Sequence, residues 1–108
     1  MAELILTAEG VNGQVSLYEN RIDITRKGNT FFSHGLDGTK TIFVKSLTGI
    51  QFKETGKITN GFIQFIFGGS AESKGGLVDA TKDENTVMFN SQQQQLFEQI
   101  RQFIFDKI

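Results

Sequence analysis

The stretch HGLDGTKT, residues 34–41, combines the only histidine of the chain with two glycines and a lysine that is flanked by threonines. These are residue types of a phosphate-binding loop, in which backbone N–H groups cradle phosphates in the pattern G-x-x-x-x-G-K-[ST]. That pattern has to follow a strand and open a helix. Here Thr39 separates Gly38 from Lys40, a serine replaces the first glycine, and the strand-like segment TIFVK follows. The sequence therefore predicts a hairpin that turns at Asp37 and Gly38.

Other catalytic and metal-binding patterns are also missing from the sequence. Without cysteine the chain has no thiol nucleophile, no disulfide and no cysteine metal site. His34 has no second histidine to complete a metal site, and catalysis needs several converging groups. The acidic segment LVDATKDEN, residues 77–85, lacks the glycine and the glutamate of a calcium loop. We therefore expect a protein that is not an enzyme, with no cofactor, no metal ion and no small-molecule substrate.

The length and the charge narrow the remaining classes of protein. A chain of 108 residues is too short to build two separate cores, so residues 1–108 are expected to form one domain. The net charge of -1 gives no overall attraction for nucleic acid. Gln51, Lys53 and Gln64 of the predicted sheet offer no aromatic platform for stacking bases, so no nucleic-acid partner is expected. The N-terminal segment MAELILTAEG lacks the features of a signal peptide, which favours a cytoplasmic protein.

Short apolar alternations broken by turn residues run from residue 3 to residue 90 and predict antiparallel strands. The turn sequences VNG and EN are expected to join the first three strands into a meander. The sixth predicted strand is apolar on both faces, so either its neighbours shield the second face or that face contacts a partner. The seven predicted strands are Glu3–Glu9, Gln14–Tyr18, Arg21–Lys27, Lys40–Lys45, Gly49–Glu54, Gly61–Phe67 and Thr86–Asn90.

The segment SQQQQLFEQIRQFIFDKI, residues 91–108, carries apolar residues at helical spacing. Ser91 and Gln94 fit a capping box, in which each side chain satisfies a backbone donor near the other. We therefore expect an amphipathic helix over residues 91–107. Phe105 lies off the apolar stripe, where we expect it to meet solvent, a partner or a continuation of the chain. The predicted stripe consists of Leu96, Phe97, Ile100, Phe103, Ile104 and Ile108.

Three segments of the chain resemble a known group of proteins. They are GQVSLYENRIDITRKG, TIFVKSLTGIQFKETGKITNGFIQFIFGG and DENTVMFNSQQQQLFEQIRQFI. In these segments the sequence resembles bacterial and phage domains of unknown function with a pleckstrin-homology-like fold, which often precede a short C-terminal helical (SHOCT-type) module. The resemblance implies a mainly β domain, in which a curled seven-stranded antiparallel sheet or barrel is capped by one amphipathic C-terminal α-helix. Function does not follow from this fold, because pleckstrin-like domains bind lipids, peptides or proteins.

The first candidate binding site lies in the loops at the end of the sheet that the helix leaves open. Its basic and aromatic residues suit an anionic lipid surface or a protein partner. The charges of the two neighbouring loops cancel, however, and the first hairpin lacks the basic motif of phosphoinositide-binding relatives. An alternative is that the aromatic pair folds back onto the rim of the sheet. The residues of this candidate site are Arg26, Lys27, Phe31, Phe32 and Lys40.

The second candidate site is an interface for a protein partner, formed by Phe62 and Ile66 of the sixth strand and by Phe105 of the helix. Together with the absence of a catalytic pattern, these apolar residues favour a non-enzymatic protein–protein interaction or scaffolding module. A homo-oligomer is one form that such an interaction takes. The alternative function is that of a peripheral domain that binds anionic lipid membranes.

Overall fold

The computed structural model of the protein describes residues 3–26, 38–68 and 84–108. These residues form seven β-strands and one α-helix, with a short 3-10 turn at Val44–Ser46. The strands and the helix are β1 (Leu4–Glu9), β2 (Gln14–Tyr18), β3 (Arg21–Arg26), β4 (Gly38–Phe43), β5 (Leu47–Lys53), β6 (Gly61–Phe67), β7 (Thr86–Phe89) and α1 (Gln94–Phe105).

The strands form two antiparallel sheets, which follow the order β1-β2-β3-β4 and β5-β6-β7. A strand lies at each predicted position, and the meander of the first three strands is confirmed. The single curled sheet or barrel is not confirmed, because β4 and β5 do not pair within the described residues. Between them the chain turns a corner at Val44–Ser46, where the N–H of Val44 donates to the carbonyl of Asn20 at 2.9 Å. The fourth strand consequently ends at Phe43, two residues before the predicted end.

The core lies between the two sheets and one face of α1. In β2 and β3 the alternate residues are buried, so each of these strands has one face in the core. The ring centroid of Phe89 lies 4.8 Å from that of Phe97 on α1 and 5.3 Å from that of Phe52 on β5. Aromatic contacts therefore join the helix to the second sheet. The buried core residues are Ala8, Val15, Leu17, Ile22, Ile24, Ile42, Leu47, Ile63, Phe65, Val87, Phe89, Phe97, Ile100 and Ile104.

The second face of β6 is covered at Phe62 by other parts of the chain. Phe62 is only 2% exposed and forms a small cluster with Met88, its partner across β7, while half-buried Val11 packs against both. Gln64, on the same face, is fully buried as well. Shielding by neighbours, rather than an open contact face, therefore accounts for the apolar character of this face at Phe62.

The turn between β1 and β2 joins the two sheets. The N–H of Val11 donates to the carbonyl of Met88 at 2.7 Å, and the Oδ1 atom of buried Asn12 accepts from the N–H of Met88 at 2.8 Å. These two hydrogen bonds satisfy both backbone groups of Met88 on β7. A side chain at Gly10 would collide with the Met88 carbonyl and with Val87, so glycine is required for this close approach. The turn is therefore a clasp between the first hairpin and the second sheet.

The helix begins with a capping box that lies one residue earlier than predicted. The Oδ1 atom of Asn90 accepts from the N–H groups of Gln92 and Gln93, and the Oε1 atom of Gln93 accepts from the N–H of Asn90. The predicted pair of Ser91 and Gln94 is wrong, because the Oε1 atom of Gln94 accepts from the N–H and hydroxyl of Thr55. Regular α-helix then runs over Gln94–Phe105 and contacts β1, β5 and β6.

Candidate functional site

The two described residues of the first predicted site, Arg26 and Lys40, both bind other parts of the chain. Arg26 is only 5% exposed, and its Nη2 atom donates to the carbonyl oxygens of Glu84 and Thr86. The ammonium of Lys40 forms a salt bridge with Glu84 and lies 5.5 Å from the ring of Phe67. The structure thus brings Arg26 and Lys40 to one depression of about 480 Å³, but both cations already have protein partners. The other three predicted members, Lys27, Phe31 and Phe32, lie outside the described residues, as does the predicted turn at Asp37.

The three residues of the predicted interface lie in different environments. Phe62 is buried under Val11 and Met88, so it offers no surface to a partner in this structure. Ile66 is half-buried near the end of β6. Phe105 is 62% exposed, which confirms the prediction that it lies off the buried stripe of the helix. Phe97, Ile100 and Ile104 of that stripe are buried.

A larger cavity of about 800 Å³ lies near the C-terminal end of α1. It is lined by the β2–β3 turn (residues 19–20), the corner between β4 and β5 (residues 43–45 and 47–48), and the residues that follow α1 (107–108). We call it the helix-end groove. Because strand β2 runs from the clasp at residues 10–13 to the turn at residues 19–20, the groove and the clasp lie at opposite ends of the first sheet. Arg26 lies at the clasp end, since Thr25 pairs with Gln14.

The helix-end groove has a buried apolar floor and an exposed apolar rim. Val44 and Leu47 form the floor and are each 6% exposed, whereas Phe43 and Ile108 on the rim are 49% and 50% exposed. The corner is fixed by backbone, because Asn20 accepts the hydrogen bond of the Val44 N–H. The groove therefore places accessible apolar side chains beside a buried apolar floor, which this backbone hydrogen bond helps to hold in place.

Charged and polar groups border the apolar part of the helix-end groove. The Nζ atom of Lys107 lies 3.7 Å from the Oε1 atom of Glu19 and 5.3 Å from the ring of Phe103. Lys45 is exposed at the corner. The hydroxyl of Thr48 donates to the carbonyl of Ile66 at 3.2 Å and is thereby engaged. Two ammonium groups, one carboxylate and one amide side chain thus border the apolar part of the groove.

A family model described as a domain of unknown function, DUF4429, matches residues 15–104 of this chain. The chain belongs to the DUF4429 family. The DUF4429 match extends from β2 to the last turn of α1, so it includes the corner and the floor of the helix-end groove but not Lys107 and Ile108. Comparison with curated proteins and with solved structures found no significant match.

In residues 3–26, 38–68 and 84–108, no three histidine, cysteine, aspartate or glutamate side chains are grouped so that they could hold a metal ion. The same ranges contain no helix with the length and apolar character that crossing a bilayer requires.

The sequence contained a signal for the helix-end groove that our predictions did not use. Three consecutive apolar residues, Ile42, Phe43 and Val44, lie where the fourth strand of the DUF4429 domain meets the corner. Strand alternation can bury only one of two neighbours, so burial of Ile42 leaves Phe43 on the outer face. The 3-10 turn then returns Val44 to the interior. The neighbouring Leu47 and Ile108 complete an apolar surface whose members are distant in sequence and could not be brought together by periodicity alone.

Proposed function

We propose that this DUF4429 domain is a non-enzymatic protein–protein interaction module with a pleckstrin-homology-like fold, and that the helix-end groove is its contact surface. The proposed fold is supported by the order of the elements. A four-stranded sheet and a three-stranded sheet are followed by one C-terminal helix, which contacts both sheets through β1, β5 and β6. The fold itself does not specify a partner, so the support for this function comes from the residues of the groove.

The exposure of Phe43 and Ile108 above a buried floor is the observation that carries this proposal. Single exposed apolar residues are normal on a protein surface, but apolar side chains grouped around a groove mark a candidate contact site. A phenylalanine that enters a partner's pocket is a typical anchor of a protein interface, because aromatic contacts dominate the binding energy. About half of the roughly 200 Å² of the Phe43 side chain remains to be buried, which is worth about 2 kcal/mol of binding free energy.

Binding of an anionic lipid membrane remains the alternative proposal, but it has less support from the described residues. The guanidinium of Arg26 donates hydrogen bonds to backbone carbonyls, and the charge of Lys40 is neutralised by Glu84. A peripheral lipid site needs basic side chains that are free to reach the phosphates of the bilayer surface. Neither of these two cations meets that requirement.

The function is tested by affinity capture with the tagged full chain from the cells that express it. Phe43→Ser is compared with Ile58→Ser, which removes a 97% exposed isoleucine that does not line the helix-end groove. We expect a protein that is retained by the wild type and by Ile58→Ser but is lost with Phe43→Ser. With the purified partner, calorimetry should give an affinity about 30-fold weaker for Phe43→Ser, which corresponds to about 2 kcal/mol.

Two further measurements distinguish self-association and lipid binding from capture of another protein. Light scattering of the purified chain at micromolar concentrations detects an oligomer, which Phe43→Ser should dissociate if the partner is a second copy. Sedimentation with vesicles of phosphatidylcholine and phosphatidylserine at low salt detects lipid binding. A strict monomer that retains no protein contradicts the proposal, and sedimentation with the vesicles would then favour the lipid alternative.

A further inference from the structure

The residues that line the helix-end groove differ in charge from the chain as a whole. The lining includes two lysines, Lys45 and Lys107, and one acid, Glu19, whereas the whole chain carries a net charge of -1. Lys107 and Glu19 lie close enough to neutralise each other. Among the described residues, no carboxylate lies within 4.0 Å of the Lys45 ammonium. Lys45 therefore adds, at the edge of the apolar surface, a positive charge that none of the described carboxylates neutralises.

Arg21 lies near the groove but adds no uncompensated charge to it. It lies opposite Phe43 in the pairing of β3 with β4, and its guanidinium stacks on the ring of Tyr18 at 3.8 Å. Asp23 lies 3.6 Å from its Nε atom and compensates its charge. Glu19 and Asp23 are thus each paired with a lysine or an arginine, whereas Lys45 has no carboxylate within 4.0 Å in the described part of the chain.

On the basis of the proposed function, we infer that the groove binds a short peptide segment that combines apolar side chains with an acidic residue. The apolar side chains pack on Phe43, Leu47 and Ile108, and the carboxylate lies beside Lys45. A volume of about 800 Å³ holds a few side chains, which fits a short segment rather than a flat domain surface. An opposite charge at the rim of an interface speeds association and selects the partner by electrostatic complementarity.

The inference is tested by selecting binders to the immobilised full chain from a random heptapeptide library displayed on phage. The enriched peptides should contain an aspartate or glutamate next to leucine, isoleucine or phenylalanine. One enriched peptide is then synthesised with a fluorescent label, and its affinity is measured by fluorescence polarisation at 50 and 300 mM sodium chloride. Because the acidic contact lies at the exposed rim, the affinity should fall several-fold at the higher salt concentration.

Substitutions at two lysines separate a specific carboxylate contact from a general charge effect. Lys45→Glu should weaken the peptide at least tenfold, since it replaces an attraction with a repulsion, and Lys45→Gln should weaken it about fivefold. Lys53→Glu is the matched control, because Lys53 is also exposed but lies at the far end of β5, about 20 Å from the groove. The control should bind within twofold of the wild type. Circular dichroism verifies that each variant is folded.

The outcomes separate this inference from the proposed function. Peptides that need Phe43 but show no acidic preference and no effect of Lys45→Glu overturn the inference and leave the proposed function in place. A selection that enriches no peptide also overturns the inference. The proposed function is then still decided by affinity capture with the wild type and Phe43→Ser. An equal loss of peptide affinity in Lys45→Glu and Lys53→Glu also overturns the inference, because the effect of the charge would then not be local to the groove.

Discussion

Replacement of Gly10 by alanine is expected to destabilise the domain through the clasp between the first hairpin and the second sheet. The added Cβ atom would lie closer than 3.0 Å to the carbonyl oxygen of Met88 and to a methyl group of Val87, a distance that real Cβ atoms essentially never show. Neither neighbour is a flexible side-chain end, since one is backbone and the other belongs to a fully buried valine. The turn therefore has to move away from β7.

The magnitude follows from the bonds that this movement breaks. The hydrogen bonds of Met88 to Val11 and Asn12, at 2.7 and 2.8 Å, lose their geometry together. Each bond contributes about 1 kcal/mol, and overpacking against the core costs at least about 1 kcal/mol more. We expect Gly10→Ala to lower the free energy of unfolding by about 2–4 kcal/mol. For a domain of this size, that loss lowers Tm by roughly 8–16 °C.

Urea unfolding followed by circular dichroism measures this effect, with Gly68→Ala as the matched control. An alanine at Gly68 meets no atom within 4 Å and needs no left-handed backbone, so it should be neutral or slightly stabilising. The control also removes the common effect of alanine on the unfolded chain. If the free energies of unfolding of Gly10→Ala and Gly68→Ala differ by less than about 0.5 kcal/mol, the clasp does not stabilise the domain as we describe.

Two further predictions concern the helix cap and the buried arginine. Asn90→Ala should lower the free energy of unfolding by about 1 kcal/mol and Ser91→Ala should leave it almost unchanged, because the side chain of Asn90 accepts the hydrogen bonds at the start of the helix. Thermal melts compare the two variants, and a larger loss for Ser91→Ala would support the predicted capping box of Ser91 and Gln94. Arg26→Met should cost about 2–3 kcal/mol in chemical denaturation, since it leaves the carbonyls of Glu84 and Thr86 without their donor. Lys40→Ala should cost under about 1 kcal/mol because its salt bridge is partly exposed, and equal losses for the two variants would contradict our description of Arg26.

The strands and the helix could be predicted from the sequence because each depends on a local pattern. Period-two alternation located β2 and β3, and helical spacing located Phe97, Ile100 and Ile104 on the buried face of α1. The division into two sheets could not be predicted in this way. It depends on the corner at Val44–Ser46, where the backbone of Asn20, more than twenty residues away in sequence, accepts a hydrogen bond.

The helix cap and the candidate site illustrate two different reasons for failure. The sequence NSQQQQ places a glutamine three residues after both Asn90 and Ser91, so it fits two capping boxes equally well. A distant contact with Thr55 decides between them. For Arg26 the signal was present but unused, because this residue continues the inward alternation of Ile22 and Ile24. Its burial follows from its position on the strand, although a charged side chain is usually exposed.

The location of the binding surface is tested most directly by an NMR titration of the isotope-labelled chain with the selected peptide. We expect the backbone amide signals that shift most to belong to residues 19–20, 43–48 and 107–108, which surround the helix-end groove. The same titration of Phe43→Ser should produce much smaller shifts at equal peptide concentration. Shifts that concentrate instead at residues 24–26 and 38–41, around Arg26 and Lys40, would contradict this location and place the binding site at the other end of the sheet.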